Sequence, residues 1–113
     1  MAVKTSRKRR QDATTKAIFA ALRKAFPGLP TDINEAVYRY NSVSIRVLIV
    51  NPAFEGLSSA QRHLLVDRAI KDLPSEMSND ISMVIMRTPE EMERVEERGD
   101  LKYMDFVNPD RND

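Results

Sequence analysis

The chain has one histidine, His63, and no cysteine, so imidazole and thiolate groups for metal binding or nucleophilic catalysis are scarce. The absence of cysteine excludes disulfides, thiolate nucleophiles and any zinc or iron–sulfur site that this chain could hold by its own thiolates. Because imidazole is the side chain that normally exchanges a proton near neutral pH, nucleophile–base machinery would have to be built around His63. The 17 acidic residues could supply a carboxylate pair, but no spacing singles one out. This inventory predicts that the protein is not an enzyme.

His63 has two interpretations at this level. As a lone ligand, it could complete a metal site only if another molecule supplied the remaining ligands. As an ordinary surface residue, it would form an i,i+4 pair with Asp67, one helical turn later. The residue types alone leave both interpretations open.

The two ends of the chain carry opposite charge, although the net charge is only +1. Residues 89–113 hold nine acidic and four basic side chains, a net charge of −5. A short basic cluster can neutralise nucleic-acid phosphates and give a salt-sensitive affinity, and a solvated arm without a ligand is the other interpretation. No aromatic residue interrupts the basic run, so it offers no platform for base stacking. Residues 1–11 carry five basic and no acidic side chains: Lys4, Arg7, Lys8, Arg9 and Arg10.

A length of 113 residues, with 42% hydrophobic and 31% charged side chains, suits one globular domain with one core. The longest uninterrupted apolar run, residues 47–50, is far shorter than the roughly 20 residues that a membrane helix needs. No apolar segment follows the basic N-terminus, so we expect no secretory signal. These features predict a cytoplasmic protein with no membrane partner.

The spacing of apolar residues predicts six elements in the order α-β-β-α-β-α. Apolar residues at steps of four indicate the first helix, and β-rich stretches indicate the strands. Ser58 followed by Gln61, and Thr88 followed by Glu91, are typical of capping boxes at helix starts. The predicted elements are a helix over residues 13–26, strands over 35–41 and 44–50, a helix over 58–73, a strand over 81–86 and a helix from 89 to 98.

A hairpin followed by a strand–helix–strand crossover gives a mixed three-stranded sheet with helices on one face, which is an α+β fold. Ile45, Val47 and Ile49 share the strand face that should meet the helices. Met83 is expected in the core, since methionine commonly fills core gaps. We expect a basic flexible arm over residues 1–12, a domain over 13–98 and an acidic tail over 99–113. The tail contains residues that are apolar enough to pack on the domain or on a second copy: Tyr103, Met104, Phe106 and Val107.

Four features in the middle of the chain occur together in one known family. They are an apolar strand at residues 45–50, an F-x-G turn, an Arg-His pair six and seven residues after that glycine, and the T-P-E-E motif that begins at Thr88. Over about residues 13–92 the chain therefore resembles the BolA family. The resemblance implies an α-β-β-α-β fold related to type II KH domains. Phe54 and Gly56 also have a structural interpretation from their residue types, as an aromatic side chain that plugs the core beside a turn glycine with positive φ, and Arg62 is a further motif residue.

By the same resemblance, the protein would be an accessory or regulatory protein that binds a monothiol glutaredoxin. BolA-like proteins share a 2Fe-2S cluster with that partner, and the histidine of the pair, here His63, is one iron ligand. No cofactor is then bound tightly by this chain alone, because thiolates of the glutaredoxin and of glutathione supply the other ligands. Family members usually carry a second ligand between the first two strands, whereas residues 40–44 include neither cysteine nor histidine. The sequence therefore leaves open whether the complex contains a cluster. The chain itself is expected to be a monomer or a weak homodimer.

The alternative function is a transcriptional or RNA-associated regulator that binds nucleic acid weakly through the KH-like scaffold and the basic arm. A G-x-x-G clamp of the KH type is missing, because the three glycines of the chain are far apart. The candidate contacts are therefore the N-terminal cations and three residues of the second helix: Arg62, Arg68 and Lys71.

Overall fold

Helices and one sheet make up the described part of the chain, residues 8–98 of the computed structural model. Two 3-10 turns, Ile33–Glu35 and Pro52–Phe54, precede the first strand and the second helix. Apart from one short helix, the order of elements is the predicted one, and the α+β class is confirmed. None of the described helices is both long and apolar enough to cross a membrane. The elements are α1 (Ala13–Ala25), β1 (Val37–Asn41), β2 (Ser44–Val50), α2 (Ser59–Ile70), α3 (Ser75–Ser78), β3 (Ile81–Arg87) and α4 (Pro89–Arg98).

The sheet has the strand order β1-β2-β3, so β2 lies in the middle. β1 pairs antiparallel with β2 through the hairpin, and Val37 lies opposite Val47. β3 pairs parallel with β2, and Val84 lies opposite the same Val47. The mixed three-stranded sheet predicted from the element order is therefore confirmed.

The core lies between the sheet and the helices α1 and α2. The alternate β2 residues Ile45, Val47 and Ile49 point to that side and are at most 1% exposed, as predicted. Burial of each such side chain contributes about 1.5 to 3 kcal/mol to stability. The core cluster also includes residues of both helices and of the turn before α2: Ile18, Leu22, Val66 and Phe54.

The prediction that Met83 lies in the core is wrong. Ile45 lies opposite Ile81, but the next residue, Arg46, lies opposite Met83, so the pairing shifts by one residue. This irregularity turns Met83 to the face of the sheet that points away from the helices. Met86 occupies the core instead and is 6% exposed.

A buried arginine ties the start of α1 to the sheet. Arg39 is 6% exposed and forms ion pairs with Asp12 and, at 3.1 Å, with Asp80. Its Nη1 also donates to two carbonyl oxygens of the hairpin turn. Asp12 caps α1 at the same time, because its Oδ1 accepts a hydrogen bond from the Thr15 amide at 2.9 Å. One side chain thus joins the start of α1, the β1–β2 turn and the residue before β3.

The second helix is shorter than predicted, and a short helix follows it. α2 ends at Ile70 instead of near residue 73, because residues 71–73 form a turn. Pro74 then caps the single turn of α3 instead of only closing α2. A proline suits this place, since the first amide groups of a helix have no partner within it.

The N-terminal segment is bonded to the fold earlier than the predicted domain boundary at residue 13. The Arg10 carbonyl accepts a hydrogen bond from the Arg39 amide at 3.0 Å, and the Gln11 side chain donates to the Val37 carbonyl at 2.9 Å. Residues predicted to belong to a flexible arm therefore lie against β1. Residues 1–7 and the tail 99–113, with the predictions made for them, lie outside the described part of the chain.

Candidate functional site

The first turn of α2 carries the Arg62-His63 pair. The Ser58 hydroxyl accepts from the Gln61 amide at 3.2 Å, and the Gln61 side chain accepts from the Ser58 amide at 2.8 Å. This capping box confirms the predicted helix start. Successive helix residues point about 100° apart, so the two members of the pair face different surroundings.

Arg62 points inward and holds α2 to α4. Its guanidinium makes a two-pronged ion pair with Glu91, with N–O distances of 2.8 and 2.9 Å. It also donates to the carbonyls of Leu57 and Met86, each at 3.0 Å, and lies 5.6 Å from the centre of the Phe54 ring. The side chain is only 11% exposed. This geometry gives Arg62 a structural task and does not leave its guanidinium available for a phosphate.

The ion pair lowers the pKa of Glu91 from 4.5 to about 2. The hydrogen bonds from Arg62 are the main cause, and the Thr88 amide donates a further bond to the same carboxylate. The sequence predicted the capping box of α4, and the Thr88 hydroxyl indeed accepts from the Glu91 amide at 3.1 Å. It did not predict the pair with Arg62, because a capping pattern is local and this pair joins residues 29 positions apart.

The F-x-G turn supports the start of α2. Phe54 is fully buried, and its ring centre lies 5.7 Å from that of Phe26. Gly56 has a φ of 76°, a conformation that residues with a side chain rarely adopt. These two residues hold the turn that leads into the Ser58 cap.

His63 is exposed and lies at the rim of a groove between α2, α3 and β3. The groove has a volume of about 470 Å³. A partner that filled it would contact the imidazole. The apolar lining is formed by Val66, Ile70, Leu73, Ile81 and Val84, and the polar lining includes Asp67 and Lys71.

Metal ligands are sparse around this groove. Among residues 8–98, no three histidine, cysteine or acidic side chains lie close enough together to hold a metal ion. The β1–β2 turn at residues 41–44 adds no imidazole or thiol. Among the described residues, this groove therefore offers a metal centre one exposed imidazole, that of His63, and any further ligands would have to come from another molecule.

The candidate nucleic-acid contacts on α2 point to separate surfaces. Arg62 is engaged with Glu91, and Lys71 lines the groove beside His63. Arg68 lines a different depression of about 430 Å³ between α2 and the end of α1. The structure therefore does not bring these three cations together.

The described cations of the basic segment also lie in different surroundings. Lys8 and Arg10 are exposed. The guanidinium of Arg9 lies 4.2 Å from the centre of the Tyr38 ring, and its backbone amide donates to the Asn34 side chain at 2.9 Å. Lys4 and Arg7 precede the described residues.

The arrangement of helices and strands is similar to that of a solved protein. The solution structure of BolA1 from Mus musculus matches with a TM-score of 0.52 and 22% sequence identity, over 90% of this chain and 84% of the mouse chain. No family model and no curated protein matches the sequence. The chain therefore has a BolA-like α+β fold, as the sequence resemblance implied.

Proposed function

We propose that this chain is a BolA-like, non-enzymatic accessory protein that binds a monothiol glutaredoxin through the groove beside His63. One observation carries the proposal: the one histidine of a chain without cysteine stands exposed at the rim of an apolar groove. A concave apolar surface with a polar rim is typical of a protein-binding site. The BolA-like fold and the motifs around residue 63 support a glutaredoxin as the partner.

The rim of the groove can orient a partner as well as hold it. Asp67 and Lys71 follow His63 at successive turns of α2, so both signs of charge lie beside the imidazole. Charges at the rim of an interface favour a correct orientation more than they raise the affinity. Arg62 fixes the first turn of α2 from inside through its bonds to Glu91, Leu57 and Met86, and this turn carries His63.

His63 is the residue that would hold a shared 2Fe-2S cluster on this side of the complex. When bound, the cluster supplies one-electron chemistry, and an imidazole ligand gives it a higher potential than a thiolate ligand does. The thiolates would come from the glutaredoxin and from glutathione, because this chain has none. A complex without a cluster would use the same groove, with His63 as a polar contact.

The proposal is tested by co-purifying the full chain with a monothiol glutaredoxin, glutathione, iron and sulfide. Visible absorption and circular dichroism then report the iron ligands. We expect wild type and Lys16→Ala, a change at an exposed position of α1, to give the same complex and the same spectrum. We expect His63→Ala to weaken the complex and to change the spectrum.

The outcomes distinguish the role of His63 as an iron ligand from the binding of glutaredoxin itself. Identical spectra for wild type and His63→Ala would remove His63 from the iron ligands. Failure of the wild-type chain to retain any glutaredoxin, with or without iron, would contradict the proposed function itself.

Nucleic-acid binding is the alternative, and it now depends mainly on the cations of the basic segment. The variant that combines Lys4→Gln, Arg7→Gln, Lys8→Gln and Arg10→Gln removes four of them. If these residues contact duplex phosphates, the log–log salt slope should fall by about 0.9 per lost contact, or about 3 to 4 in all. Glutaredoxin binding should not change. Tight, sequence-dependent binding that survives in this variant would place the nucleic-acid contacts on the domain instead of the basic segment and would rank nucleic-acid binding above glutaredoxin binding.

A further inference from the structure

The face of the sheet that points away from α1 and α2 combines apolar, aromatic and arginine side chains. The alternation along each strand and the register between strands assign eight large side chains to it. None of its apolar members belongs to the core cluster between the sheet and the helices. We call this set the outer sheet face: Tyr38, Tyr40, Arg46, Leu48, Val50, Met83, Ile85 and Arg87.

The outer sheet face has an apolar centre with positive charge beside it. Leu48, on the middle strand, lies opposite Ile85 and is 7% exposed, whereas Ile85 and its neighbours Val50 and Met83 are half-buried. The Arg46 guanidinium lies 3.6 Å from the centre of the Tyr40 ring. The described strands place no acidic residue on this face. It therefore suits an occupant that is both apolar and acidic.

We propose that the outer sheet face is the docking site of the chain's own C-terminal segment, residues 99–113. That segment combines the two properties that the face requires. It carries four aspartates against one lysine and one arginine, so acidic side chains are available to meet Arg46 and Arg87. Its apolar side chains, available to meet the centre around Leu48, are clustered within five positions: Tyr103, Met104, Phe106 and Val107.

The segment also has the necessary length. α4 has 10 residues and is about 15 Å long, so it carries the chain that far from the end of β3. β3 has 7 residues and is about 23 Å long. A segment of 15 residues reaches up to about 50 Å when extended, which is enough to return from Arg98 and run along the whole strand.

Two other occupants fit this face less well. If a second copy docked the same face about a twofold axis, each copy would bring two arginines and no acidic strand residue to the contact, whereas the C-terminal segment brings four aspartates. A nucleic-acid strand would place its charged phosphates over an apolar centre. Tyr40, which is 51% exposed, is the ring on which a base could stack.

Cross-linking in the full chain tests the proposal, because the wild-type sequence has no cysteine and only introduced thiols react. The test pair is Met83→Cys with Asn108→Cys, joined by a short bismaleimide. The control pair is Leu64→Cys with Asn108→Cys, since Leu64 is 55% exposed on α2, away from the outer sheet face. Tethering gives an effective concentration near the millimolar range, so a docked segment should cross-link within one chain, independently of protein concentration.

The expected result is a monomeric cross-linked product with a yield at least about fivefold higher for the test pair than for the control pair. Equal yields would show an undirected segment and overturn the proposal. A dimeric product whose yield rises with protein concentration would assign the face to a second copy and overturn it as well.

A second measurement covers the case in which the cysteine variants fold poorly. Tyr103→Asp together with Phe106→Asp alters only the segment, and the amide resonances of the full chain report the face. We expect shifts at Leu48, Met83 and Ile85 and none at Val66 in α2. Unchanged resonances at the three sheet residues would overturn the proposal.

Discussion

The ion pair of Arg62 and Glu91 joins the first turn of α2 to the first turn of α4, one residue away from the imidazole of the proposed binding site. Arg62 is 11% exposed and uses its guanidinium on Glu91 and two carbonyls, whereas His63 is exposed at the groove. Two residues that stand together in one sequence motif therefore have different tasks. Changes at Arg62 or Glu91 should affect folding, and changes at His63 should affect binding.

Replacing the carboxylate, Glu91→Gln, should lower the free energy of unfolding at pH 7 by about 1 to 3 kcal/mol, because Arg62 is left largely buried without its counter-charge. Folding lowers the pKa of Glu91 from 4.5 to about 2. The pair therefore stabilises the fold above pH 4.5, and its contribution is lost as the pH falls from 4.5 towards 2. Urea unfolding of wild type and variant over this range should show a constant difference near neutrality that shrinks in acid.

The matched control for this prediction is Glu90→Gln. Glu90 forms an i,i+4 pair with Arg94 at 3.4 Å, but the two side chains are 67% and 57% exposed. Exposed pairs of this kind contribute at most about 0.5 kcal/mol. If both variants lost the same stability at pH 7, the structural role of the Arg62–Glu91 pair would be contradicted.

At the scale of elements, the turn before α2 depends on the backbone of Gly56. Gly56→Ala should cost about 1 kcal/mol of stability, because alanine disfavours the φ of 76°. A Cβ added there would meet nothing within 4 Å, so the cost is conformational and not steric. The comparison with Gly28→Ala isolates this effect, since that Cβ would lie 3.6 Å from Asn51 Nδ2, an ordinary contact. Thermal unfolding that gave equal losses for both variants would remove the conformational argument.

Most elements could be predicted from the sequence because each has a strong local signal. The two capping boxes at Ser58 and Thr88 set the helix starts correctly, and alternation along β2 identified the core face. α3 was missed because a single turn is too short to show a helical period. Met83 was misplaced because a shift in strand register changes the face of a side chain without changing the sequence pattern.

The candidate site was predictable only in part. His63 was identified by its residue type and by the surrounding motif. The groove was not, because α2, α3 and β3 form it together, and the sequence pattern around its lining residues Ile81 and Val84 indicates only a strand. The engagement of Arg62 was missed for the same reason, since its partner Glu91 is distant in sequence.

Across the whole molecule, two surfaces of different chemistry lie on opposite sides of one core. The His63 groove opens on the side of α2, with an apolar lining and both signs of charge at its rim. The outer sheet face lies on the other side, with arginines and an apolar centre. The fold can therefore present the groove to a partner while the outer sheet face is occupied.

Isothermal titration of a cluster-free monothiol glutaredoxin into the full chain measures whether the His63 groove binds this partner. We expect wild type and Lys16→Ala to bind with the same affinity, and His63→Ala and Lys71→Glu each to bind at least about tenfold more weakly, a loss of about 1.4 kcal/mol. Lys71 is included because it is exposed and lines the groove beside His63. No binding by the wild-type chain, or equal affinity for all four proteins, would contradict the assignment of this groove as a glutaredoxin-binding site.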